Sequence, residues 1–285
     1  MVSVIDSKSY TKEKKHREDI LNIFRKEDIY MGKKDRRHSS SASRRRSSNV
    51  VPLDYHDHQA RIEGPKKKKW SIHDLRPIRP MTENQSDLFQ LWFEGHDIFA
   101  KGCAGVGKTF LGLYLAFTEL LERGEHQRVI IIRSAVAGRD IGFLPGTLEE
   151  KTAVFEQPYK DICQELFGKA STYQDMKDSK IVEFMTTSHV RGLTWDNSII
   201  VVDEVQNMSF HEIDSIMSRV GQNTRIILCG DDKKQCDLKK HEVSGVSTLI
   251  HAIQKIKDFS IIDFTFDDIV RSNFVKNWIK ATSDL

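Results

Sequence analysis

Three clusters of residues have the types and spacing to do chemistry. The first is Gly102-Cys103-Ala104-Gly105-Val106-Gly107-Lys108-Thr109, a full match to GxxxxGK[ST]. Glycines at these positions let backbone N–H groups turn inward around an anion. Lys108 adds a point charge suited to β- and γ-phosphates, and the Thr109 hydroxyl can join the shell of a Mg²⁺ ion. The second is Asp203-Glu204, which closes the apolar run "SIIVVDE". A carboxylate at the tip of a buried strand can hold Mg²⁺ through its water shell, which is the expectation for Asp203. A carboxylate beside it can polarise an attacking water, which makes Glu204 a candidate general base. The third is Asp231 with Gln235, in "RIILCGDDKKQCD". Gln235 is a candidate to bond a terminal phosphate or to orient water.

These residues need particular elements to hold them. A strand must precede the glycine loop and a helix must follow it, so that the helix N-terminus faces the phosphates. The sequence supplies both: "DIFAK" over Asp97–Lys101, then an almost uniformly apolar helical stretch over Thr109–Glu122. Further strands are expected at Arg128–Arg133, Lys180–Thr186, Ser198–Glu204, Arg225–Gly230 and Ser260–Phe266. Several are continuous apolar runs, the mark of strands buried on both faces of a parallel sheet. Helical spacing recurs over Phe210–Arg219 and Gly245–Ile256. Strands alternating with helices imply a doubly wound α/β domain with a mostly parallel sheet. In such a sheet the C-terminal strand tips gather around one ligand crevice.

Charge divides the chain of 285 residues unevenly. Residues 1–80 carry 21 Lys+Arg against 11 Asp+Glu, or +10; the remainder carries 23 against 30, or −7. Residues 1–77 therefore read as a basic, low-complexity extension, with an amphipathic pattern that allows a short helix over 16–29, and residues 78–285 as the folded domain. The Ser/Arg/Lys-rich stretch over 31–69 has too little apolar surface to bury a core and should be disordered in isolation. A basic arm suits a polyanion such as nucleic acid, and equally a solvated tail; its Arg-Ser blocks could accept phosphate. The four cysteines form no CxxC pair and no zinc-spaced set with histidine, so reduced thiols in a cytoplasmic protein are expected. No apolar run reaches the length of a membrane span, and no signal-peptide core is present at the N-terminus.

The order "RPMTENQ", "GCAGVGKT", "IIRSAVAGRDIGFLPG", "SHVRGLTWDNSIIVVDEVQN", "CGDDKKQCD" and "DIVRS" resembles the PhoH family of P-loop ATPases, from Ile78 to the C-terminus. "GFLPG" and "VRG" are its more specific parts. Ser134, Val205 and Cys229 depart from the usual pattern without removing a reactive group, and Lys233 and Lys234 fill a step that is usually short and neutral. The resemblance implies a RecA-like core related to superfamily I helicases, with ATP and Mg²⁺ as cofactors. It implies that Gln85 reads adenine through its amide and that Arg271 stabilises charge on the γ-phosphate, from this chain or from a neighbouring subunit. The second case requires a homo-oligomer, with a hexameric ring as one form. Arg133 and Arg191 would face the same side, either touching phosphate or nucleic acid or holding loops by ion pairs. Family members that act on RNA often carry an N-terminal PIN nuclease; residues 1–80 cannot supply one, so no nuclease activity is expected. Two readings stay open: a Mg²⁺-dependent ATPase, coupled in a helicase-like way to RNA or single-stranded DNA, and an ATP-gated binding switch with little turnover. A small-molecule kinase fits less well, because Glu204 suits water as the acceptor.

Overall fold

The structure is a computed structural model, and it describes residues 70–134, 148–231 and 243–283. The basic extension through residue 69, the "GFLPG" motif and Gln235 lie outside the described residues.

Six strands form one all-parallel sheet: β1 (Asp97–Gly102), β2 (Arg128–Arg133), β3 (Val182–Thr186), β4 (Ser198–Asp203), β5 (Arg225–Gly230) and β6 (Phe259–Phe264), in the order β3-β2-β4-β5-β1-β6. The helices are α1 (Glu83–Phe93), α2 (Lys108–Arg123), α3 (Leu148–Phe167), α4 (Thr172–Asp178), α5 (Phe210–Met217), α6 (Val246–Ile253) and α7 (Asn273–Ala281).

Alternation along each strand feeds two cores. Ile98, Ala100, Val129, Ile131, Ile199, Val201 and Ile227 face one layer, where α1 to α4 contribute Trp92, Leu115, Tyr159 and Met176. Phe99, Ile130, Ile132, Ile200, Val202, Ile226 and Leu228 face the other, packed by Ile213 and Ile216 of α5 and Leu249 and Ile253 of α6. Successive strand side chains point to opposite faces, so an unbroken apolar run is what a sheet covered on both sides requires. Each such side chain contributes on the order of 2 kcal/mol relative to exposure. The strands are thus fixed by burial, and their C-terminal tips become a rigid platform.

Element ends differ from the sequence expectations for local reasons. Lys180 has φ 60°, so the chain turns there and β3 begins only at Val182. Glu204 has φ 55°, which ends β4 at Asp203 and turns Glu204 out of the strand. β6 stops at Phe264 because Thr265 caps a short 3₁₀ turn over Phe266–Asp268, its hydroxyl accepting from Asp267 N–H. The core also takes in Trp70, whose ring meets Phe167 edge-on at 5.6 Å, eight residues before the expected boundary at 78.

Candidate active site

The loop from Gly102 to Gly107 leaves the tip of β1 and opens α2. Gly105 and Gly107 have φ of 85° and 88°, a region that side chains with a Cβ rarely adopt. At Gly105 an added Cβ would also lie 3.0 Å from Arg271 Cγ. Lys108 Nζ folds back over the loop, donating to the Gly102 carbonyl at 2.6 Å and the Cys103 carbonyl at 2.8 Å. Its neighbour Thr109 donates from Oγ1 to Asp203 Oδ1 at 2.7 Å. The two oxygen groups singled out for Mg²⁺, 94 residues apart in sequence, are therefore in contact.

Strand order explains the meeting. β5 lies between β1 and β4, so the tips that carry the loop and Asp203 flank the tip that carries Asp231. Arg133, at the end of β2, stands beside Asp203 in the parallel register and so shares its face of the sheet.

Glu204 sits against this group. Gln206 donates from Nε2 to Glu204 Oε2, while its Oε1 accepts the Asp231 backbone N–H at 2.9 Å. Gln206 is buried and ties the carboxylate to the tip of β5. Burial, and then the Asp203 carboxylate beside it, push Glu204 above the usual carboxylate range. Arg133, the Gln206 amide and Lys108 pull in the opposite direction without cancelling the shift. Burial also raises the Cys103 and Cys229 thiols, which leaves both protonated rather than as reactive thiolates.

Two segments from the ends of the domain grip the loop. Gln85 of α1 is 3% exposed. Its Nε2 donates to the Val106 carbonyl at 3.1 Å and its Oε1 accepts from Met81 N–H at 2.8 Å. From the other end, Val270 N–H donates to the Gly105 carbonyl at 3.1 Å, which lays Arg271 against the loop of its own chain. Asp268 joins the two segments, accepting from Asn84 Nδ2 at 2.7 Å and from Thr265 N–H at 2.8 Å. Burial alone would raise Asp268, but hydrogen bonds from Thr82, Thr265 and Asn84 together hold it below the usual range.

Gln85, Gly105, Lys108, Asp203, Glu204 and Arg271 all border one cleft of about 730 Å³, a size that suits a small-molecule ligand. Arg191 is elsewhere: its guanidinium lies 3.3 Å from His211 Nε2, away from this cleft. Among the described residues no three His, Cys, Asp or Glu side chains cluster as a metal cage. One carboxylate and one hydroxyl form a hard oxygen set. That set fits Mg²⁺, which keeps several waters and takes its remaining ligands from phosphates.

Sequence reasoning missed Gln206, Tyr159 and Asp268. Gln206 had a legible signal, two residues beyond the acidic pair. Asp268 had half of one, the capping box it makes with Thr265 three residues before, while its Asn84 contact and the Tyr159–Asp203 contact had none, being distant in sequence.

Comparison with known proteins matches residues 77–283 to the family described as PhoH-like protein. The PhoH-like protein of Bacillus subtilis is 30% identical over 207 residues, covering 72% of this chain and 64% of that protein. Protein PhoH of Escherichia coli K12 is 32% identical over 213 residues, covering 74% and 59%. The chain thus spans about three-fifths of the length of these curated relatives. Among solved structures it is similar to the Pif1 helicase of Candida albicans, with a TM-score of 0.35 at 14% identity over 70% of this chain and 43% of that one. It is also similar to the large terminase of bacteriophage D6E, with a TM-score of 0.43 at 11% identity over 71% and 50%.

Proposed function

Because the chain belongs to the PhoH family, we propose that its cleft binds ATP with Mg²⁺ and hydrolyses it. The observation that carries this reading is the 2.7 Å hydrogen bond between Thr109 and Asp203. It joins the phosphate-loop helix to the acidic strand tip, which is the pairing that a Mg²⁺-nucleotide site needs.

The loop amides and the α2 N-terminus receive the phosphates, and Lys108 exchanges its two carbonyl partners for phosphate oxygens. Thr109 and Asp203 would hold Mg²⁺, which when bound would supply positive charge against the phosphates. Glu204 takes a proton from water as the water oxygen bonds to the γ-phosphorus. The bond from that phosphorus to the bridging oxygen breaks, leaving ADP and inorganic phosphate. The raised pKa of Glu204 moves it toward the range where a base works at neutral pH. Gln206 aims it. Arg271, whose Cγ lies against Gly105 at the cleft wall, is assigned to stabilise charge on the terminal phosphate from within the same chain. Gln85 lies at the cleft wall, where its amide can exchange Met81 for the adenine edge. Gln235, four residues after Asp231, is assigned the phosphate-sensing role on its sequence position alone.

The finer reading couples this hydrolysis to RNA or single-stranded DNA. The +10 charge of residues 1–80 supports it. A homo-oligomer follows from the same surface logic. Phe274 and Trp278 of α7 are 76% and 62% exposed, and a second copy would cover them in a ring.

The test is ATP turnover by the full chain, with and without single-stranded RNA or DNA, beside Lys108→Ala. The wild type should turn over ATP, faster with one of the nucleic acids. Lys108→Ala should lose turnover by on the order of 1,000-fold. Tight ATP binding with negligible wild-type turnover would replace the ATPase by a nucleotide-gated switch.

A further inference from the structure

Asp203 has two carboxylate oxygens, and the reading above uses only one. Oδ1 accepts from Thr109, at the mouth of the cleft. Oδ2 points the other way and accepts from the Tyr159 hydroxyl at 2.9 Å. Tyr159 belongs to α3 and is 0% exposed. Its ring packs on Phe184 of β3 at 5.6 Å between centroids, so neighbours on two sides hold its direction. The hydroxyl is the donor in this pair, because an ionised carboxylate offers only acceptors.

We propose that Tyr159 is a positioning residue for the Mg²⁺ site, holding the Asp203 carboxylate at one rotation so that Oδ1 stays turned toward Thr109 and the phosphate loop. The torsion that spins a carboxylate is soft and roughly two-fold. A strand tip fixes where Asp203 begins but not the rotation of its carboxylate plane, and so not whether an oxygen is presented squarely to the loop. A buried hydroxyl on the far oxygen supplies that missing restraint, as partners beyond the ligand shell do at other metal sites. The loss of one such partner commonly costs 10- to 100-fold in metal affinity or activity. Tyr159 touches neither nucleotide nor water in this scheme; it acts through Asp203. α3 thereby joins the site although it contributes no ligand.

The inference rests on the Mg²⁺–ATP reading, and its test separates the two. Mn²⁺ is titrated into the full chain with ADP present and followed by the loss of the free-ion paramagnetic signal. ADP affinity without metal and thermal unfolding are measured alongside. Tyr159→Phe keeps the ring and removes only the hydroxyl. It should weaken Mn²⁺ binding about tenfold, leave metal-free ADP affinity unchanged, and raise the Mg²⁺ needed for half-maximal turnover by a similar factor. A purely structural role would lower the unfolding temperature without moving the Mn²⁺ affinity of the folded protein. Equal Mn²⁺ affinity in the folded variant and the wild type overturns the inference and leaves the ATPase reading standing. Failure of the wild type to bind Mn²⁺ with ADP overturns both. Should Tyr159→Phe not fold, wild-type protein carrying ¹³C at the Tyr159 ring Cζ replaces it. That resonance should move when Mg²⁺ joins the ADP complex, and an unmoved resonance overturns the inference.

Discussion

The two ends of the parallel sheet both bury charge, and they treat it in opposite ways. At the N-terminal end, Arg225 of β5 pairs with Glu119 of α2 and donates to the Trp92 and His96 carbonyls, both at 2.8 Å. Its guanidinium carbon lies 3.4 Å from the centre of the Trp92 ring. Asp97 accepts the Ile226 N–H at 2.9 Å, and Ser260 bonds His96 at 2.9 Å. Arg225 and Glu119 there meet an opposite charge or several fixed dipoles inside the protein, and Asp97 is left raised by burial. At the C-terminal end, Asp203 and Glu204 are adjacent like charges, Glu204 is pushed up in pKa, and Lys108 donates to two loop carbonyls. Those groups border an open cleft. A closed, mutually satisfied set locks helices and strands together. A strained set on an open face is arranged for a ligand that brings its own charge.

That contrast predicts a division of labour between rate and stability. The largest effect should come from Glu204→Gln, with turnover falling 100- to 10,000-fold while ATP binding and unfolding temperature stay near wild type. Steady-state assays beside nucleotide titration check it, and a loss of binding equal to the loss of rate would erase the contrast. At the other end, Glu119→Ala leaves Arg225 buried without its carboxylate. It should cost about 3–5 kcal/mol of stability in urea unfolding, with the KM for ATP unchanged. Gly105→Ala is smaller and sharpens the boundary of the site. It forces a side chain into φ 85° and presses on Arg271 Cγ. ATP affinity should drop about tenfold, roughly 1.4 kcal/mol, and the left-handed backbone should cost about 1–2 kcal/mol of stability.

The smallest effect concerns Asp97 and has a pH sign. Burial is the main cause that raises its pKa, with the Ile226 N–H and Arg225 opposing. A group whose folded pKa is raised contributes stability that is fully present below its unfolded pKa and is lost as pH rises through the folded value. Asp97→Asn cannot ionise and lacks that loss. Unfolding free energies measured from about pH 3 to pH 7 should therefore favour the variant progressively as pH rises through that window. A flat difference across that range would show Asp97 to be as well compensated as Arg225.

The architecture was legible to an unusual depth because parallel strands buried on both faces must be apolar without interruption. "RVIIIR" and "SIIVVD" announce themselves for that reason, and both lie within a residue of the expected bounds. α1, α3, α4 and α7 were missed. α3 carries Pro158 inside it, and α7 exposes Phe274 and Trp278, which blurs its buried face. Within the site, Lys108, Thr109, Asp203 and Glu204 were legible because loop chemistry and strand ends are local. Gln235 and the "GFLPG" motif remain expectations outside the described residues.

The amino-acid sequence by itself determined the phosphate loop, the acidic strand tip and the alternation that stacks helices on a parallel sheet. These follow from backbone freedom at glycine, from side-chain charge, and from the two-residue period of a strand. Tertiary structure alone decided which strand tips are neighbours, and so that Thr109 meets Asp203. It also decided that Tyr159 takes the far oxygen of that carboxylate and that Arg271 lies over its own loop. Those are contacts across about 40 to 170 residues of chain. Strand order sets them, and strand order depends on which helices can cover which face, a property of the whole packed chain.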